Sequence, residues 1–220
     1  RHDLVQIFQI WEGGLAIFGA VLGGFLGGAG YVAIRNHPRF LALWSKLFRG
    51  STLEKANLPP IGRLADLAAP AMLLAMAIGR IGDIINGEHV AKLTDQSWGF
   101  VYSHIASPSN ATHGLASSHP AVAYEMLWDL AVLAFIWPLR NRLRPYGMVF
   151  ASYLAIYSLG RFFISFLRLD REWALGLNEA QYVSLAILAV TIPILLLKAK
   201  VVKPTPPMPQ PKKAKAGKGG

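Results

Sequence analysis

The sequence predicts an all-α fold: a polytopic bundle of transmembrane helices with a small external cap. Three observations predict it. Hydrophobic residues make up 53% of the 220-residue chain and charged residues only 15%, where soluble domains hold about 25% charged. The apolar residues gather into runs close to the roughly 20 residues that a helix needs to cross a bilayer. Basic residues concentrate in every second connection between those runs, as cytoplasmic loops do.

Five stretches can span. The first, Gly13 to Ile34, is uncharged and glycine-dense. In "GAVLGGFLGGAG", small residues recur four apart (Gly19, Gly23, Gly27 and Gly24, Gly28). Such a face lets helices approach closely, or leaves a groove that admits a lipid chain. The second, about Leu67 to Ile85, carries Arg80 and Asp83 near its end. The third, about Ala121 to Leu139, has Glu125 and Asp129 near its start. The fourth, about Gly147 to Leu167, contains Arg161, and the fifth, about Ala180 to Leu197, is uncharged.

The connections set the orientation. Arg35, Arg39, Lys46, Arg49, Lys55 and Arg63 lie between the first two spans, and Arg140, Arg142 and Arg144 between the third and fourth. These segments and the lysine-rich C-terminus are expected to be cytoplasmic. The connections at about 86–119 and 168–179 have balanced charge and are expected outside. The longer one is the cap, with "SWGFVYSHI" reading as a strand. Residues 198–220 read as a disordered Lys/Pro-rich tail beside a membrane domain over 1–197. The chain starts at Arg1 with no signal peptide visible, and further spans are expected upstream.

The formal charge of +10 comes mostly from that tail. Seven of the 22 basic residues lie at or beyond Lys198, and the remaining 15 face 12 acidic ones. A nucleic-acid partner is therefore not expected; the partners are membrane lipids. With no cysteine, the chain has no disulfide, no thiolate metal site and no thiol nucleophile of its own.

Ionisable groups inside a span are costly and usually face a cavity. Here they share one depth. Arg80 and Asp83 end an inside-to-outside helix, Glu125 begins an outside-to-inside one, and Arg161 and Arg168 lie near the end of the fourth. Tyr157, Arg161, Ser165 and Arg168 fall on one stripe at helical spacing, and Arg80, Asp83 and Gly87 on another. Two helices can thus aim arginines into one space, and guanidinium is suited to bidentate phosphate binding. The phosphate available there is a phospholipid headgroup. The bland readings are snorkelling for Arg168 and a structural pair of Arg80 with Asp83 or Glu88. Asn86-Gly87 reads as a helix stop, and His119-Pro120 as a helix start.

"GRIGDIINGE" (79–88) resembles the signature of the prolipoprotein diacylglyceryl transferases, multi-pass bacterial membrane enzymes. "IWEGGLAIFGAVLGG" (10–24), "WGFVYSHIASPS" (98–109), "HPAVAYEML" (119–127) and "YSLGRFFISFLRLDR" (157–171) follow in the family's order. The resemblance implies transfer of diacylglyceryl from phosphatidylglycerol to the lipobox cysteine thiol of a prolipoprotein. A thioether forms, and glycerol phosphate leaves. By matching position, Arg80 would bind the lipid phosphate, and Arg161 would bind it or assist its departure. Asp83, Asn86, Glu88, Tyr157 and Arg168 would shape the headgroup pocket, supported by His119, Tyr124 and Glu125. The site would face the outer leaflet of the inner membrane, with no cofactor and no metal. Phe18 stands where many relatives have a histidine considered as base, so His104, and next Glu88, are the candidate proton acceptors. Asp83 replaces the usual Asn, Ser165 an acidic residue, and Ala91 a Gly. Two rival readings follow: a relative that binds lipid without turnover, and a transporter. The inverted repeats and broken helices of many transporters are not evident.

Overall fold

The structure is a computed structural model that describes residues 17–48 and 53–203. The "WEGG" stretch, the start of the first expected span, the side chain of Phe18 and residues 204–220 of the expected tail lie outside the described residues. The chain divides into two compact units, residues 1–61 and 62–220.

The first unit holds α1 (Ile17–Arg35) and α2 (Pro38–Leu47). Among the described residues of this unit, nothing lies against the glycine face of α1 at Gly23, Gly24, Gly27 or Gly28. His37 caps α2 through its side chain, and Pro38 supplies the fixed φ that suits a first helical position. Phe40, Trp44 and Phe48 stack along α2 at centroid distances of 6.1 and 4.3 Å. This short amphipathic helix lies in the basic connection that follows the first expected span. Asn36 closes that connection by clamping Ala56, with Nδ2 donating to its carbonyl at 2.6 Å and Oδ1 accepting from its N–H at 2.8 Å.

The second unit holds α3 (Ile61–Asn86), α4 (Pro108–His113), α5 (Ala121–Ile136), α6 (Met148–Ile164) and α7 (Glu179–Lys198). Four described helical segments, Ile61–Asn86, Ala121–Asn141, Met148–Leu167 and Glu179–Lys198, are long and apolar enough to cross a membrane. Five spans were expected. The missing one is the first, whose leading residues fall outside the described set.

The core joins Ala69 and Leu73 of α3, Val132 and Ile136 of α5, and Val149 and Tyr153 of α6. Two devices bring these helices together. At Gly160 of α6, a Cβ would come within 2.0 Å of the Trp128 indole on α5, so only glycine lets the ring seat there. The Trp128 N–H then donates to the Ile156 carbonyl at 3.0 Å. At the other end, Asp66 of α3, 6% exposed, accepts from the backbone N–H of Gly147 (2.8 Å) and Phe150 (3.0 Å). It caps α6 from a neighbouring helix and satisfies donors that a helix start leaves free. This explains why α3 begins at Ile61 rather than at the expected Leu67. The helix starts directly after Pro59-Pro60 and draws the polar residues Arg63 and Asp66 into its first turns.

Asn178 and Gln181 form a reciprocal capping box at the start of α7. The same side chains hold the end of α6: Asn178 Nδ2 donates to the Ser165 carbonyl (3.4 Å) and Gln181 Nε2 to that of Phe162 (3.3 Å). After Ile164 the chain tightens into a 3₁₀ turn over Ser165–Leu167. Arg168 is therefore extended backbone, not the last residue of the α-helical stripe predicted from spacing. At the opposite end, β1 (Leu143–Arg144) pairs antiparallel with β2 (Lys200–Val201), so the segment after Lys198 starts as a short strand.

The cap carries α4, capped by Ser107, and no strand over "SWGFVYSHI". Phe100 makes one isolated bridge with Ser118. The ladder stops there because Pro120, two residues beyond Ser118, has no N–H to donate.

Candidate functional site

Where the signature ends α3, the chain turns sharply. Gly87 has φ +66°, and a Cβ there would lie 2.1 Å from Ser107 Oγ. The Gly87 carbonyl accepts from Ser109 Oγ at 2.7 Å. His89 follows, also left-handed at φ +59°, a conformation that His tolerates better than most non-glycine residues. The strand-like run after it is stitched to the end of α6: Lys92 N donates to the Leu167 carbonyl (2.8 Å) and Leu169 N to that of Val90 (3.0 Å). These bonds set Arg168 beside the signature.

Three helices, and the extended residue that follows the 3₁₀ turn after α6, then deliver charges to one point. Glu125, in the second turn of α5, is 4% exposed. Arg80 Nη2 lies 2.5 Å from its Oε2, an ion-pair contact without hydrogen-bond alignment. Arg161 Nη1 donates to its Oε1, and Arg168 Nη1 lies 3.4 Å from the same oxygen. Each of two arginines has a second carboxylate. Arg80 Nη1 donates to Asp83 Oδ2 at 2.8 Å, and Arg168 grips Asp170 with two bonds of 2.7 and 3.0 Å. Arg161 has Glu125 alone among the described residues. The side chains of Arg80 and Arg161 keep 15% and 19% exposure, so the cluster has an open side. Three fixed cations meeting at one carboxylate, in a poorly solvated place, can hold an anion strongly.

The structure brings together Arg80, Asp83, Glu125, Arg161 and Arg168. Tyr157 lies one turn before Arg161, its ring 6.0 Å from that of Tyr153. Asn86 and Glu88 are exposed and bonded to each other at 3.3 Å. Tyr124 accepts from the Trp98 indole at 2.7 Å, tying cap to α5. His119, 6.4 Å from the Tyr124 ring, has a buried Nδ1 without a partner among the described residues. It lines a small cleft with Glu88, His89 and Tyr102. His104 is different. It is exposed, its Nδ1 accepts from the backbone N–H of Ala106 in its own turn (3.2 Å), and no described contact joins it to the arginines.

Sequence reasoning missed His89. Its Nδ1 accepts from Arg168 Nη2 at 2.9 Å, and its Nε2 lies 3.5 Å from Asp83 Oδ2. Burial and the neighbouring Arg168 and Arg80 push its pKa below the ordinary value. Its place directly after the signature was the available signal. Asp129 was noted but given no role; it is 1% exposed, one turn beyond Glu125, with both carboxylate oxygens unpartnered among the described residues.

Asp83, Glu88 and His89 each bring a ligand-type atom within 4.8 Å of the others. A metal ion there would compete with Arg80 for Asp83 and with Arg168 for His89. The trio is better matched to anchoring guanidiniums than to holding a cation.

Comparison with known proteins places this chain in a family. Residues 1–197 match the family model described as prolipoprotein diacylglyceryl transferase. The chain is 37% identical to the phosphatidylglycerol--prolipoprotein diacylglyceryl transferase of Gloeobacter violaceus over 82% of this chain and 60% of that protein. It is 34% identical to the Thermosynechococcus vestitus protein of that name over 86% of this chain and 63% of the relative. A third relative, transferase 2 of Streptomyces coelicolor, is 31% identical over 90% of this chain and 56% of its own length. The chain thus spans about three fifths of the length of these relatives. The chain belongs to the prolipoprotein diacylglyceryl transferase family.

Proposed function

We propose that the protein transfers the diacylglyceryl group of phosphatidylglycerol to the lipobox cysteine of a prolipoprotein at the outer face of a bacterial cytoplasmic membrane. The alternating loop charges support that orientation, with the C-terminus inside. The observation that carries the reading is the convergence of Arg80, Arg161 and Arg168 on the Glu125 carboxylate. The carboxylate marks the point where an anion is best held, and the open edges of Arg80 and Arg161 offer a lipid phosphodiester a berth beside it.

In the reaction, the cysteine sulfur bonds to a glycerol carbon, and that carbon's bond to a phosphate oxygen breaks. The thiol proton is released, and the phosphate gains negative charge as it leaves. Arg80 and Arg161 stabilise that charge where it develops, without reorganising. Asp83 and Glu125 hold the two guanidiniums in place. Asn86, Glu88, Tyr157 and Arg168 bound the headgroup pocket, and His119 and Tyr124 support it from the start of α5. For the thiol proton, Glu88 is better placed than His104: it lies beside Asp83 and His89 and is open to solvent.

The test supplies membranes containing the protein with labelled phosphatidylglycerol and a lipobox peptide. Thioether-linked diacylglyceryl peptide and released glycerol phosphate are expected. A well-folded protein that binds the lipid yet yields no thioether product overturns the proposal in favour of a lipid-binding relative.

A further inference from the structure

We infer that His89 is a positioning residue for this reaction: a neutral imidazole that holds Arg168 on one side and Asp83 on the other, and so ties the arginines of two spans into one binding surface. The inference rests on the transfer reaction proposed above and goes beyond it by assigning a role to His89.

The hydrogen-bond chemistry fixes the form of the ring. Arginine can only donate. With Arg168 Nη2 at 2.9 Å, Nδ1 must be the bare nitrogen, and the ring hydrogen sits on Nε2. Nε2 lies 3.5 Å from Asp83 Oδ2, a contact of ion-pair range rather than an aligned hydrogen bond, to the oxygen that also accepts from Arg80. The chain Arg168–His89–Asp83–Arg80 therefore runs from the end of α6 to the end of α3, and both arginines also reach Glu125. His89 is positioned for this by its left-handed backbone and by the bonds that flank it at Val90 and Lys92.

A second proton on His89 would break the arrangement. It would occupy the nitrogen that Arg168 uses and add a cation between Arg168 and Arg80. The groups facing the ring are Arg168 and Arg80, which oppose its protonation, and Asp83 and Glu125, which favour it; the Glu88 carboxylate also lies within 4.8 Å. Burial is the largest influence and opposes protonation too, so the balance lowers the pKa of the ring. Acid would thus take one acceptor from Arg168, leaving it to Asp170 and Glu125, and so loosen its place in the phosphate-binding surface.

Three variants separate this role from a merely structural one. His89→Ala removes one of the three acceptors of Arg168 and should raise KM for phosphatidylglycerol about tenfold, with a smaller change in kcat. His89→Asn keeps an acceptor near the place of Nδ1, tolerates left-handed backbone and cannot be protonated. It should restore most of what alanine loses and abolish the acid limb of kcat/KM below about pH 6.5. His89→Lys puts a permanent cation there and should bind the lipid less well than alanine does. An alanine variant with unchanged KM, or an asparagine variant with the wild-type acid limb, overturns the inference.

A readout independent of turnover distinguishes its failure from that of the transferase reading. Deuterium exchange at the imidazole C2–H of His89 should titrate below the ordinary value of about 6.5, and Arg168→Gln should raise the midpoint. An ordinary midpoint that ignores Arg168→Gln sinks the role of His89 even if thioether is made. The expected midpoint without any thioether sinks the reaction and leaves the contact.

Discussion

Asp66 and Glu125 are both carboxylates buried within spans, at 6% and 4% exposure, and they are satisfied in opposite ways. Asp66 takes two backbone N–H donors from the first turn of α6. Those donors cannot move without unwinding a helix. Glu125 takes three guanidiniums, each on a long side chain with a second partner or an open edge. A ligand can exchange with such partners. The difference separates a carboxylate that builds the bundle from one that marks a site, although hydropathy treats both alike.

The largest effect should come from removing one of the exchangeable cations. Arg80→Ala is expected to lower thioether formation by about 10²–10³-fold, the usual loss for one stabilising donor at a developing anion. Thermal stability should change little, because Arg161 and Arg168 still hold Glu125. The check is a paired assay of turnover and unfolding in the same detergent. Retained turnover would remove Arg80 from the mechanism and reduce the Glu125 cluster to a second Asp66.

How far the sequence foretold these two sites differs for a physical reason. Four spans, the family and the residues Arg80, Glu125, Arg161 and Arg168 were legible, because charge in an apolar run is rare and local. That the three arginines share one carboxylate was not, since spacing along a helix gives a face and not a partner. Arg168 was placed on an α-helical stripe, yet it reaches Glu125 only because the 3₁₀ turn and the Val90–Leu169 bond redirect the chain. Asp66 was left outside the second span, because its value lies in donors 81 and 84 residues away. His104 looked like the available imidazole. His89, held by a left-handed turn and a distant arginine, needed tertiary structure to be seen.

A smaller effect sharpens the contrast. Glu125→Gln leaves three clustered guanidiniums, one of them buried, short of one negative charge and should cost about 3 kcal/mol of stability. Asp66→Asn keeps one acceptor for the two amides and should cost about 1–3 kcal/mol. The decisive comparison is rescue: an anionic phospholipid should raise the melting temperature of Glu125→Gln more than that of wild type. It should do nothing particular for Asp66→Asn. Equal rescue of both would show that the lipid stabilises the bundle generally rather than filling the place of an anion.

The smallest expected effect is a pH dependence confined to one end of the bundle. The folded pKa of His89 lies below its unfolded value of about 6.5. In the window between the two, the unfolded chain binds more protons, so stability rises with pH there. The contribution is fully present above about pH 6.5 and is lost as pH falls through the folded value. Hydrogen-exchange protection of the Val90 to Lys92 amides should therefore fall on mild acidification in wild type and stay level in His89→Asn. The amides of Gly147 and Phe150, held by Asp66, serve as the internal reference, since nothing that His89 does reaches them. Parallel loss at both ends would mean that acid loosens the bundle as a whole and that the imidazole has no local hold on the arginines.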